Sequence, residues 1–133
     1  MPEKTTIKRA RADLRAGKSP TTAAGEFVRE EMEHVRQGKH GARSPEQAIA
    51  IGLSKARRAG VPLKPPKKGQ AKKSTRKAAR RDYEVGQGKR SSSHPSRKRS
   101  DAMRRRLKRE GRSAASHTAL SRHAKRVAKK RGT

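Results

Sequence analysis

Residues 44–60 read Ser44-Pro45-Glu46-Gln47-Ala48-Ile49-Ala50-Ile51-Gly52-Leu53-Ser54-Lys55-Ala56-Arg57-Arg58-Ala59-Gly60. Ser44 can accept an N–H from the first turn of a helix, Pro45 has no N–H to leave unpaired there, and Gln47 can complete a capping box. Ala48, Ile49, Gly52, Leu53 and Ala56 recur at helical spacing along one side. Gly60 is placed to end the helix, after which Val61-Pro62-Leu63 leaves in extended form. A helix over residues 45–59 is expected.

Upstream, Ile7, Ala10 and Leu14 share a helical face that Gly17 would terminate. Ser19-Pro20 repeats the cap-plus-proline start. Ala24, Phe27, Val28, Met32 and Val35 then form the apolar stripe of a helix over residues 22–37, with Glu26, Arg29, Glu30, Glu33 and Arg36 largely outside it. Gly38 and Gly41 interrupt the pattern before Ser44. The expected fold class is all-α, with a small three-helix unit in residues 1–63.

Beyond residue 63 the composition changes. The 133-residue chain holds 39 Lys and Arg against 11 Asp and Glu, a formal charge of +28. Residues 1–60 carry 13 basic and 7 acidic side chains, whereas residues 61–133 carry 26 and 4. Among the hydrophobic residues 19 are Ala and only 18 are larger, and after Leu63 the larger ones are Tyr83, Val85, Met103, Leu107, Leu120 and Val127. High charge with few large apolar groups is the composition of chains that do not bury enough surface to fold. Residues 64–99, with Pro65-Pro66, Ser91-Ser92-Ser93 and Pro95, are therefore expected to be a basic Pro/Gly/Ser-rich linker with a helical turn or two near residues 76–83. Residues 100–133 are expected to be a basic helical tail. One helix would run from Ser100-Asp101 to Glu110 with Met103 and Leu107 a turn apart, and another would start near Ser113 or Ser116 and align Leu120, Ala124 and Val127. The tail is expected to be largely disordered, its one or two helices marginal until charge is neutralised.

Several function classes find no support. There is no Cys for a disulfide, thiolate nucleophile or Cys-ligated metal. No apolar run approaches the ~20 residues needed to span a bilayer. The polar start, Met1-Pro2-Glu3-Lys4-Thr5-Thr6, is no secretion signal, so a cytoplasmic, nucleoid setting without membrane attachment is expected. His34, His40, His94, His117 and His123 lack the spacing of a metal site and read as solvated or capping. Glu30, Glu31 and Glu33 lie near Arg29 and Arg36 and read as local ion pairs. Gly86-Gln87-Gly88 lacks the strand and third glycine of a dinucleotide loop. No catalytic, cofactor-binding or metal-binding residue is assigned, and enzymatic activity is not expected.

The basic clusters point to a polyanion, because each phosphate neutralised by Lys or Arg releases a condensed counterion. The residues expected to hold phosphates are Lys67, Lys68, Lys72, Lys73, Arg76, Lys77, Arg80 and Arg81, then Arg97, Lys98, Arg99, Arg104, Arg105, Arg106, Lys108 and Arg109, and finally Arg122, Lys125, Arg126, Lys129, Lys130 and Arg131. The chain has no Asn and no Trp, so base reading through adenine contacts or stacking is poorly provided for. Phe27 belongs to a core stripe; Tyr83 could stack on a base or pack loosely on Val85 or Ala79. A helix-turn-helix with residues 45–58 as recognition helix would present Glu46, Gln47, Ala50, Ile51, Ser54 and Lys55, but residues 38–44 make a longer connection than that motif uses.

Residues 17–63, above all the string GEFVREEMEHVRQGKHGARSPEQAIAIGLSKARRAGVPL, resemble a family of short, strongly basic bacterial proteins of unknown function, and the Ala/Ser/Arg-rich residues 109–131 are similar too. The resemblance implies a bacterial cytoplasmic protein presumed to bind DNA, and it brings no site residues. The expected function is non-sequence-specific DNA binding through the cationic tail, as a nucleoid-associated or DNA-compacting protein. The alternatives are an RNA- or ribosome-associated basic protein and an adaptor whose residues 1–63 bind a protein partner or a second copy.

Overall fold

The computed structural model describes residues 3–90 and 97–130. Ser91-Ser92-Ser93 and Pro95 of the expected linker, His94, and Arg131 of the expected contacts lie outside the described residues. Six α-helices occur among the described residues: α1 Lys4–Arg15, α2 Pro20–Arg36, α3 Pro45–Arg58, α4 Lys73–Gly86, α5 Arg97–Arg109 and α6 His117–Lys130. A 3-10 turn at Ser113–Ala115 precedes α6.

The local signals act through hydrogen bonds. Ser19 Oγ accepts from Thr22 N at 3.3 Å and Ser44 Oγ from Gln47 N at 3.2 Å, so both Ser-Pro pairs start helices. Gln47 reaches back one residue further than a capping box requires, its Oε1 accepting from Arg43 N at 2.6 Å. Ser116 Oγ accepts from Ala119 N at 3.1 Å and opens α6. Gly17 and Gly60 close α1 and α3 at φ +82° and +103°.

The chain divides into two compact units, each built from separated stretches. Unit 1 draws on Met1–Glu30 and Ile51–Ser93, unit 2 on Glu31–Ala50 and His94–Thr133. In unit 1, Ala10, Ala23, Ala24, Phe27, Ala56 and Val61 are buried together, flanked by Ile7, Leu14, Leu53, Ala59 and Leu63. Burial of the Phe27 ring alone contributes roughly 1.5–3 kcal/mol. Unit 2 buries Met32, Val35, Ala42, Ala48, Ala114 and Ala115, with Ile49 and Leu120 packed beside them. Its stretches are joined by backbone bonds from Gly41 N to Leu107 O, 2.7 Å, and from Ala42 N to Gly111 O, 3.0 Å. Arg36 Nε donates to Ala115 O at 3.0 Å, and Arg112 Nη1 to Arg36 O at 3.3 Å.

These contacts overturn the expected architecture of a three-helix unit followed by a largely disordered tail with marginal helices. Helices form on both sides of residue 63, and Ala79, Ala114 and Ala115 from the second part are buried. The reason lies in the alanines. Among the described residues, nine of the thirteen buried apolar ones are Ala, at positions 10, 23, 24, 42, 48, 56, 79, 114 and 115. Alanine has the highest helix propensity and lets backbones approach closely, so scarcity of large side chains did not prevent packing. Gly41 shows how close: a Cβ there would collide with the Glu110 carbonyl.

Candidate nucleic-acid interface

In unit 1 the segment after α3 and one side of α4 enclose a groove of about 820 Å³. Eight of its twelve lining residues are basic: Lys64, Lys67, Lys68, Lys73, Arg76, Lys77, Arg80 and Lys89. Pro65, Pro66, Tyr83 and Glu84 complete it. On α4, residues 73, 76, 77, 80, 83 and 84 follow the three-and-four spacing of one helical face, so a stripe that elsewhere would be apolar is here cationic.

The opposite side of α4 holds it in place. Ala79 is buried, and Asp82 Oδ2 accepts from Ser54 Oγ at 2.6 Å while its Oδ1 lies 3.8 Å from Arg58 Nε. Gly86 meets the Arg57 carbonyl so closely that a Cβ would collide with it, and Gln87 Nε2 donates to Gly60 O at 3.2 Å. The other wall is fixed from α3. Arg57 Nε donates to Leu63 O at 3.1 Å and its Nη2 to Lys64 O at 3.4 Å. Burial lowers the Arg57 guanidinium pKa from its usual value, and the Asp82 carboxylate acts against that shift. Pro65-Pro66 restricts the next step to extended backbone. Lys67 N and Gln70 then exchange hydrogen bonds, donating to Gln70 Oε1 at 2.9 Å and, from Gln70 N, back to Lys67 O at 3.0 Å.

The charge order on α4 opposes its own dipole. Lys72 and Lys73 stand at the positive end, with no acidic residue in the first turn and no side-chain cap, whereas Asp82 and Glu84 lie toward the negative end. Each such placement disfavours an isolated helix by about 0.3–1 kcal/mol. An anion at the first turns reverses the sign of the first effect, because it meets both the cationic side chains and the first N–H groups. Arg76 Nε is buried and meets no protein acceptor.

Of the residues expected to hold phosphates, Lys67, Lys68, Lys73, Arg76, Lys77 and Arg80 come together here. Lys72 precedes α4, and Arg81 is exposed on it outside the groove lining. Tyr83, Lys64 and Lys89 join them; the helical stripe through residues 73–84 was the available signal for Tyr83. In unit 2, Arg97, Lys98, Arg99, Arg104, Arg105, Arg106, Lys108 and Arg109 on α5 are exposed, as are Arg122, Lys125, Arg126, Lys129 and Lys130 on α6. Of these, Arg122 and Arg126 line a smaller concavity of about 370 Å³ with Arg43 and Glu46. Arg126 Nη2 and His123 Nδ1 both lie 2.9 Å from Glu46 Oε1. The hydrogen bond to its own backbone N–H, followed by that to His123, holds the Glu46 carboxyl below its ordinary range.

On α3, Gly52 lies against the Val28 backbone, Ser54 Oγ donates to Asp82, and Glu46 accepts from Arg126 of α6, so two of the residues expected to face outward, Glu46 and Ser54, are engaged by neighbouring helices. No helix among the described residues is long and apolar enough to cross a membrane. No family model, curated protein or solved structure matches the chain.

Proposed function

We propose that the protein binds the phosphate backbone of nucleic acid without base selectivity, DNA in preference to RNA, through the groove between residues 64–68 and α4. The exposed cations of α5 and α6 supply further, less organised contacts. The observation that supports this reading is the cationic stripe on an anchored α4: eight basic side chains converge on one concavity with a single acid, Glu84, among them. Phosphate neutralisation is favourable there because the side chains are already gathered, so less conformational freedom is lost on binding than for a disordered polycation. The resemblance of residues 17–63 to short basic bacterial proteins presumed to bind DNA, and a nucleoid location, belong to this same proposal. Tyr83 offers one aromatic face to an unpaired base at the groove.

Titration of the full chain with duplex DNA, duplex RNA and single-stranded DNA over a range of salt concentrations tests it. The expected result is tight binding to duplex DNA of unrelated sequences, with log affinity falling linearly against log salt by about 0.9 per phosphate contacted. Stronger binding to RNA would instead favour an RNA- or ribosome-associated role, and affinity insensitive to salt would refute phosphate binding.

A further inference from the structure

Unit 2 buries an acid between two imidazoles. Glu31, fully buried in the last part of α2, has Oε1 3.9 Å from His34 Nδ1 and Oε2 3.1 Å from His40 Nε2. The two rings meet edge to face, centroids 6.2 Å apart and planes at 80°. One donor atom from each of the three residues can be chosen so that all lie within 4.8 Å of one another. His40 Nδ1 sits 2.9 Å from Gly41 O. A carbonyl oxygen only accepts, so Nδ1 carries the hydrogen, and Nε2 is left as the nitrogen directed at Glu31.

From this geometry we propose that Glu31, His34 and His40 bind a divalent transition-metal ion of the zinc class. Two imidazoles and a carboxylate are a donor set zinc takes, and its bonds of about 2.0–2.1 Å place tetrahedral donors roughly 3.3–3.5 Å apart. The three donor atoms already lie within 4.8 Å of one another, so side-chain adjustment of up to about 1.5 Å closes them on an ion of this size. The His40 Nδ1 bond to a backbone carbonyl is the outer contact that orients a metal-binding imidazole.

The position gives the ion a structural task. His40 is followed by Gly41 and Ala42, whose N–H groups bind Leu107 O and Gly111 O. Fastening His40 to α2 therefore fastens the strip of backbone on which the α5 end docks. Among the described residues the buried apolar side chains of this unit larger than alanine are Met32 and Val35, and small cores of this kind are commonly reinforced by a metal. Binding to the folded form alone raises stability with metal concentration.

The test uses the full chain, stripped with chelator, in a competition titration against a chromogenic zinc indicator and in parallel with Co(II) absorption. The expected result is one tight equivalent of Zn(II), a visible Co(II) spectrum of tetrahedral type, and a higher unfolding midpoint with zinc. His40→Ala should weaken binding by at least ~10-fold and abolish the zinc-dependent midpoint shift, whereas His94→Ala/His117→Ala/His123→Ala should leave both unchanged. His40→Cys guards against simple misfolding: it should retain the metal and add a thiolate-to-Co(II) charge-transfer band. Absence of zinc binding by the parent chain, equal affinity in His40→Ala, loss in the triple variant, or no charge-transfer band from His40→Cys would each overturn the assignment.

Discussion

Helix α4 of unit 1 carries five Arg and Lys in 14 residues and helix α5 of unit 2 eight in 13, yet it is the less charged helix whose cations are gathered into a groove. α4 is held along one side by Ala79, Asp82 and Gly86, so Lys73, Arg76, Lys77 and Arg80 are gathered on the other against Lys64 and its neighbours. α5 has no buried residue, and its cations are distributed over exposed surface. The two helices show that cationic composition supplies affinity for phosphate, while a few small or polar anchoring contacts turn it into a site.

The comparison can be broken most severely at Phe27. Phe27→Asp removes the largest buried side chain of unit 1 and adds a charge, so a loss exceeding the ~3–5 kcal/mol of a Phe→Ala change is expected in urea unfolding, together with loss of the groove. Paired glycine variants sharpen it. Gly86→Ala and Gly41→Ala each drive a Cβ into a backbone carbonyl, Arg57 and Glu110 respectively, and should each destabilise by about 1–3 kcal/mol or more. Gly86→Ala should also weaken DNA binding, whereas Gly41→Ala should leave the groove's contribution intact; the two binding isotherms check this. Ser54→Ala, which removes the Asp82 hydrogen bond, should cost about 0.5–1.5 kcal/mol and show as faster hydrogen exchange in α4. The smallest effect is at Glu46. Its lowered pKa contributes stability that is fully present above the ordinary carboxylate value and is lost as pH falls through the lower folded value. Stability curves of the parent and Glu46→Gln should therefore converge at acid pH, by a small amount because the group is half exposed and screened.

Much of the helix pattern was legible. Ser19-Pro20, Ser44-Pro45, Gly17 and Gly60 act locally, through bonds within a few residues, and local rules place them. The order beyond residue 63 was not legible from the count of large apolar groups, because Ala79, Ala114 and Ala115 pack through smallness and backbone proximity rather than area. The division into two discontinuous units depends on long-range pairings such as Gly41 with Leu107, which leave no periodic trace. For the candidate site, the basic residues of 67–80 were evident, but their convergence depends on Ser54 with Asp82 and Arg57 with Leu63, polar contacts between positions far apart or unremarkable in sequence. The approach of His34 and His40 around Glu31 has no signal in residue spacing, because it depends on the turn at Gly38.

The most direct test compares two variants that each remove four positive charges: Lys73→Gln/Arg76→Gln/Lys77→Gln/Arg80→Gln on α4 and Arg104→Gln/Arg105→Gln/Arg106→Gln/Lys108→Gln on α5. Salt titrations of duplex DNA binding should show the α4 variant losing affinity more strongly, with its log–log slope reduced by roughly 0.9 for each phosphate contact removed, and the α5 variant changing less. Equal losses in affinity and slope would contradict the account, since binding would then follow net charge alone and the groove would have no distinct part in it.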